Sequence, residues 1–114
     1  MTMGAEFERM QVAISHHVDA AEPDAEGLHD YHYEYDNYRF SRGHVTYTTR
    51  AYIDEPGQAS FLSREYGRES RLLDIADGDD PLLIEAVNHL RASGMTVLDR
   101  LTAHDGYVPI DAPW

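Results

Sequence analysis

Residues 31–53 read YHYEYDNYRFSRGHVTYTTRAYI, a run in which aromatic and β-branched side chains alternate with polar ones. Such alternation, with these residue types, is the pattern of strands packed on one face. Tyr31, Tyr33 and Tyr35 then point one way, and His32, Glu34 and Asp36 the other. Gly43 marks a hairpin turn, since glycine reaches the positive φ that tight turns require. A three-residue loop, Ser41-Arg42-Gly43, sets Tyr31, Tyr33 and Tyr35 opposite Ile53, Ala51 and Thr49. A two-residue loop, Arg42-Gly43, sets them opposite Asp54, Tyr52 and Arg50 instead. The first register gathers the apolar residues on one surface and is the one expected.

Working outward, Asp54-Glu55-Pro56-Gly57 is a second turn, because Pro fixes one φ and Gly supplies the positive one. A third strand is expected at about Gln58 to Ser63, with Ala59 and Phe61 joining the tyrosine face. The best-specified helix runs from Pro81 to about Ser93. Asp80 is its N-cap, Pro81 suits its first position, and Gly94 ends it, while Leu83, Ala86, Val87 and Leu90 form an apolar stripe. Upstream, Phe7, Met10, Ile14, Val18 and Ala21 recur at helical spacing and predict an amphipathic helix over Ala5 to Ala21. The same segment offers Met10, Val12 and Ile14 at alternate positions, which allows an edge strand. The run Met95 to Leu101 fits either a fourth strand or a short helix. Pro109 and Pro113 exclude the tail from an interior strand. The fold expected from these elements is α+β: an antiparallel meander of three or four strands with helices packed on one face, in a single domain spanning residues 1–114.

Composition narrows the functions. The chain has 114 residues, and its 21 acids against 9 bases give a net charge of −12. All nine bases are arginine. A surface so acidic disfavours direct nucleic-acid binding, where phosphate contacts need bases. The absence of cysteine excludes disulfides, thiolate metal sites and a cysteine nucleophile. Neither a signal peptide nor an apolar run of about 18 residues is evident, so no membrane segment is expected and the reading is cytoplasmic.

Seven histidines raise the question of a metal, especially with His29, Asp30, His32, Glu34, Asp36 and His44 crowded together. Strand positions two apart are about 6–7 Å from one another, too wide for shared coordination by short side chains, and no metal-ligand spacing is present. No cofactor is implied. The serines lack a nucleophile-elbow context and the glycines are scattered singly, so neither a serine hydrolase nor a phosphate loop is indicated.

Charge is unevenly distributed. Between Arg9 and Arg39 lie seven acids and no base: Asp19, Glu22, Asp24, Glu26, Asp30, Glu34 and Asp36. A row of carboxylates with tyrosines interleaved would attract a basic protein surface and speed association. The function expected is therefore a small, acidic, non-catalytic binding protein, an inhibitor or immunity-type protein that neutralises a basic protein partner, nucleic-acid-binding proteins being one such class. Asp24, Glu26, Asp30, Glu34, Asp36 and Tyr38 are its expected contacts. The alternative is a small enzyme or ligand-binding domain, open to homodimerisation, with His32 and Glu34 at the mouth of a cavity between sheet and helices.

Overall fold

The structure, a computed structural model, describes residues 9–20 and 32–114. Seven strands, β1 (Gln11–Ala20), β2 (His32–Arg42), β3 (Val45–Tyr52), β4 (Gln58–Tyr66), β5 (Glu69–Arg71), β6 (Val97–Leu101) and β7 (Tyr107–Pro109), form one mixed sheet. A 3-10 helix (Ile75–Asp79) and one α-helix, α1 (Pro81–Ala92), lie between β5 and β6. The main path of the sheet is β1-β2-β3-β4-β6-β7, and β5 pairs with the far half of β4.

The three- or four-stranded meander with several covering helices is thus corrected in two places. First, β6 runs parallel to β4, with Gln58 opposite Val97 and Phe61 opposite Arg100. A parallel neighbour requires a crossover, and α1 is that crossover. Second, residues 11–20 form a strand rather than a helix; positions 5–8 and 21 of the expected helix lie outside the described residues. The β-branched Val12, Ile14 and Val18 fall at alternate positions, and β1 pairs with β2 along its whole length. Ten paired positions override the helical spacing.

Between β2 and β3 the observed register also differs from both alternatives. Arg42 opposes Val45, so the loop is Gly43-His44, and Tyr35 stands opposite Tyr52. Gly43 has φ 61°, while among the described residues no non-glycine residue has positive φ. Positive φ at the first loop position only is the type II′ arrangement, which matches the twist of the flanking strands. Consequently Phe40 faces Tyr47, and Tyr38 faces Thr49. These even positions of β2, not Tyr33 and Tyr35, look toward α1.

The core forms there. Phe40, Tyr47, Phe61, Ala59 and Leu98 from the sheet meet Leu82, Leu83, Ala86, Val87 and Leu90 from α1. The helix is specified as expected: the Asp80 side chain accepts from the Leu82 N–H, and Pro81 occupies the first turn. Ala59 and Phe61 therefore belong to this core rather than to a tyrosine face, and His89, half-buried, packs edge-on against Phe40 at 5.6 Å between ring centres. Arg100 is buried in the same layer, its guanidinium 3.9 Å over the Trp114 ring and donating to the carbonyls of Pro109 and Pro113. Among the described residues no helix is long and apolar enough to cross a membrane.

Candidate functional site

Asp19 at the end of β1, Glu34 and Asp36 at the start of β2, and the β3–β4 turn with Asp54 and Glu55 meet at one end of the sheet. The Ile53 N–H donates to the Glu34 carbonyl at 2.9 Å, closing the start of β2 onto the end of β3. Residues directly opposite on neighbouring strands share a face. Glu34 and Asp36 accordingly lie on the α1 side with Val18 and His16. Asp19 lies on the other, open side, across from Tyr33.

His16 organises this end. Its Nδ1 is 2.6 Å from Asp36 Oδ1, and its Nε2 is 2.8 Å from Glu34 Oε2. An ionised carboxylate only accepts hydrogen bonds, so both ring nitrogens must donate and the ring must be the imidazolium. The hydrogen bond to Asp36, then that to Glu34, raises the His16 pKa above 6.5 against the opposing effect of desolvation. A pKa raised in the folded state stabilises the fold fully below the unfolded value, and that contribution fades as pH climbs through the folded one. By NMR titration, His16 is expected to lose its proton above pH 6.5, and Glu34→Gln or Asp36→Asn should each bring that midpoint down. An unchanged midpoint in both variants would contradict the bridge. In the bridged state His16 has no free lone pair, so it is not poised as a general base.

Five arginines are paired with acids away from this end, whereas Arg50 reaches it on the open side. Arg39 pairs with Glu65 at 2.7 Å, Arg42 with Glu85, and Arg91 with Asp111 at 2.8 Å. Arg71 and Arg64 converge on Asp77. Arg50 lies 4.1 Å over the Tyr35 ring and donates to the Asn37 side chain. Among the described residues, none of the arginines forms an ion pair with Asp19, Glu34, Asp36, Asp54 or Glu55. A cleft beside the turn is lined by Asp36, Glu55, Gln58 and the residues Ser93 and Gly94 that end α1. The negative end of the helix dipole adds to its two carboxylates.

The open side carries an aromatic cluster at the same end. His17 stacks on Tyr35 at 5.3 Å, Tyr52 meets Tyr35 edge-on at 5.6 Å, and Tyr33 meets Tyr52 at 6.1 Å. His16 and His17, adjacent on a strand, thus serve opposite faces: one the carboxylates, the other the tyrosines.

Of the residues singled out from sequence, Asp24, Glu26 and Asp30 lie outside the described residues, as does Tyr31. Glu34 and Asp36 are brought together, through a histidine that sequence reasoning missed. Tyr38 is half-buried on the α1 side, stacked on Phe40 at 6.1 Å, and burial followed by the Asp36 charge pushes its hydroxyl pKa up. His32 is exposed at the first position of β2, and its neighbour Glu34 is engaged by His16. Among the described residues no group of three or more His, Cys, Asp or Glu is arranged to hold a metal ion. No family model, curated protein or solved structure matches the chain.

Proposed function

We propose that the protein is a non-catalytic binding protein of the inhibitor or immunity type, which engages a basic protein partner with the acidic end of its sheet. One observation carries this reading. Five arginines, Arg39, Arg42, Arg64, Arg71 and Arg91, are matched by the chain's own acids, while among the described residues the five carboxylates at one end are ion-paired only through His16. That polarity concentrates negative potential where the strands hold the backbone fixed, and such fields steer an oppositely charged surface into encounter. The tyrosines behind the carboxylates offer large, partly buried contact area of the kind that anchors interfaces.

The test uses an arginine-rich peptide as the probe. Asp54→Ser with Glu55→Ser removes two carboxylates that no other described side chain holds, so the fold should persist. Association with the probe is expected to slow by roughly tenfold at low salt, with a shallower salt dependence. Glu34→Ser with Asp36→Ser should weaken association likewise while also releasing His16. Unchanged kinetics and salt slope in both double variants would contradict the proposal.

A further inference from the structure

β1 is the last strand of the sheet, and its outer side presents backbone N–H and C=O groups that no strand of the described residues pairs. Natural sheets blunt such an edge with proline, charge or brevity. The opposite edge does so: β7 is three residues long and ends at Pro109. β1 does not. It runs for ten residues, QVAISHHVDA, with no proline, no arginine and one acid. Its α1-side face carries Val12, Ile14 and Val18, and Ile14 and Val18 remain 59% and 57% exposed because α1 lies over the inner strands. A long, proline-free edge with Ile14 and Val18 exposed on one face is a template for another strand.

We infer that β1 is a homodimer interface, in which two copies join antiparallel about a two-fold axis at Ile14 to form one continuous sheet. Self-pairing about a two-fold makes the interface isologous, so residue i opposes residue j with i + j constant. For the two sheets to keep their faces in common the constant must be even, because side chains alternate. With Ile14 on the axis the sum is 28, and Met10 opposes Val18 and Val12 opposes His16 on the α1 side. On the open side Arg9 opposes Asp19, twice by symmetry. Neither Arg9 nor Asp19 has an ion-pair partner among the described residues, and both are exposed. Moving the axis to Ser15 sets Asp19 against Gln11, and moving it to His16 sets two imidazolium groups against each other. The Ile14 axis satisfies the charges and pairs residues 9–19 of each copy.

The polarity of the whole sheet favours the same join. Gln11 lies opposite Ser41 and Ala13 opposite Arg39, so the start of β1 adjoins Arg39 and Arg42, while its end adjoins Glu34 and Asp36. An antiparallel join sets the acidic end of each copy beside the arginine-bearing end of the other, which is the complementary arrangement. This inference does not depend on the proposed partner.

Analytical ultracentrifugation of the full chain tests it. The wild type should sediment as a concentration-dependent dimer. Ile14→Lys, at an exposed position that leaves the core intact, places two cations on the axis and should weaken the dimer by roughly tenfold or more. Arg9→Asp and Asp19→Arg should each weaken it, and the two together in one chain should restore it. A wild type that stays monomeric at hundreds of micromolar would overturn the inference. So would a dimer indifferent to Ile14→Lys, or a charge swap that restores nothing. A monomer whose β1 amides exchange slowly would show the edge covered by the chain itself, and would overturn it equally.

Discussion

Phe40→Ala is expected to lower the free energy of unfolding by about 4 kcal/mol, the usual range for truncating a fully buried phenylalanine. Phe40 is 0% exposed and stands at the centre of the layer between sheet and helix. Tyr38 stacks on it, Phe61 approaches at 6.4 Å between ring centres, and the His89 ring of α1 meets it edge-on. Tyr47, also 0% exposed, faces it across the strand pair. These neighbours come from three strands and the helix, so they cannot collapse together into the vacated space without moving an element. Urea denaturation should show the loss as a lower midpoint at an unchanged slope. A cost below about 1 kcal/mol would mean that α1 does not pack on this face as described.

Asp77→Ala should cost about 3 kcal/mol, because it removes a buried carboxylate that Arg71, the Asp74 N–H and the buried Tyr47 hydroxyl all converge on. Asp77 is 3% exposed. It accepts from both terminal nitrogens of Arg71 at 2.8 and 3.1 Å, from the Asp74 backbone N–H at 2.8 Å, and from the Tyr47 hydroxyl at 3.1 Å. Arg71 is partly exposed and would recover some hydration, and the Tyr47 hydroxyl would keep Asp80 as its acceptor. The single Tyr47 hydroxyl proton lies between two carboxylates, Asp80 at 2.5 Å and Asp77 at 3.1 Å, so one buried phenol ties the 3-10 helix and the α1 cap to β3. Burial opposes ionisation of Asp77, but the hydrogen bonds from Arg71, the Asp74 N–H and Tyr47 outweigh it and hold its pKa below 3.8. A depressed folded pKa contributes stability above the unfolded value that is lost as pH falls through the folded one. The wild type should therefore lose stability in strong acid, and Asp77→Asn should flatten that part of the pH profile. An unaltered acid limb would show that Asp77 is not the linked group.

How legible this was depends on how local the signal is. The α1 cap, Asp80-Pro81 with Gly94 beyond, is written in consecutive residues and was readable, as were the turns at Gly43 and at Asp54 to Gly57. The hairpin register was not. Counting apolar residues favoured a face made of Tyr31, Tyr33, Tyr35, Ile53 and Ala51, yet tyrosine is at ease on a half-exposed face, so its number does not say which side is buried. The true core residues of the hairpin are Phe40 and Tyr47, brought opposite by a loop shifted onto His44. β1 carried helical and strand periodicities at once, and only its pairing with β2 chose between them. The parallel placement of β6 depends on a crossover that a five-residue strand, VLDRL, cannot announce. The His16 bridge needs two strands in register across 18 and 20 positions of sequence, so no local spacing reveals it. The acidity of the segment before Arg39 was legible; that it converges with Asp54 and Glu55 at one end of the sheet was not.

Residue-resolved chemical-shift mapping with the arginine-rich peptide tests the central claim most directly. The account predicts that perturbations concentrate at His16, Asp19, Glu34, Asp36, Asp54 and Glu55, with little change around Glu69, Asp105 and Asp111, which are acidic and exposed but lie elsewhere. Shifts spread evenly over every exposed carboxylate, or absent from the end of the sheet where β1 finishes and β2 begins, would contradict it.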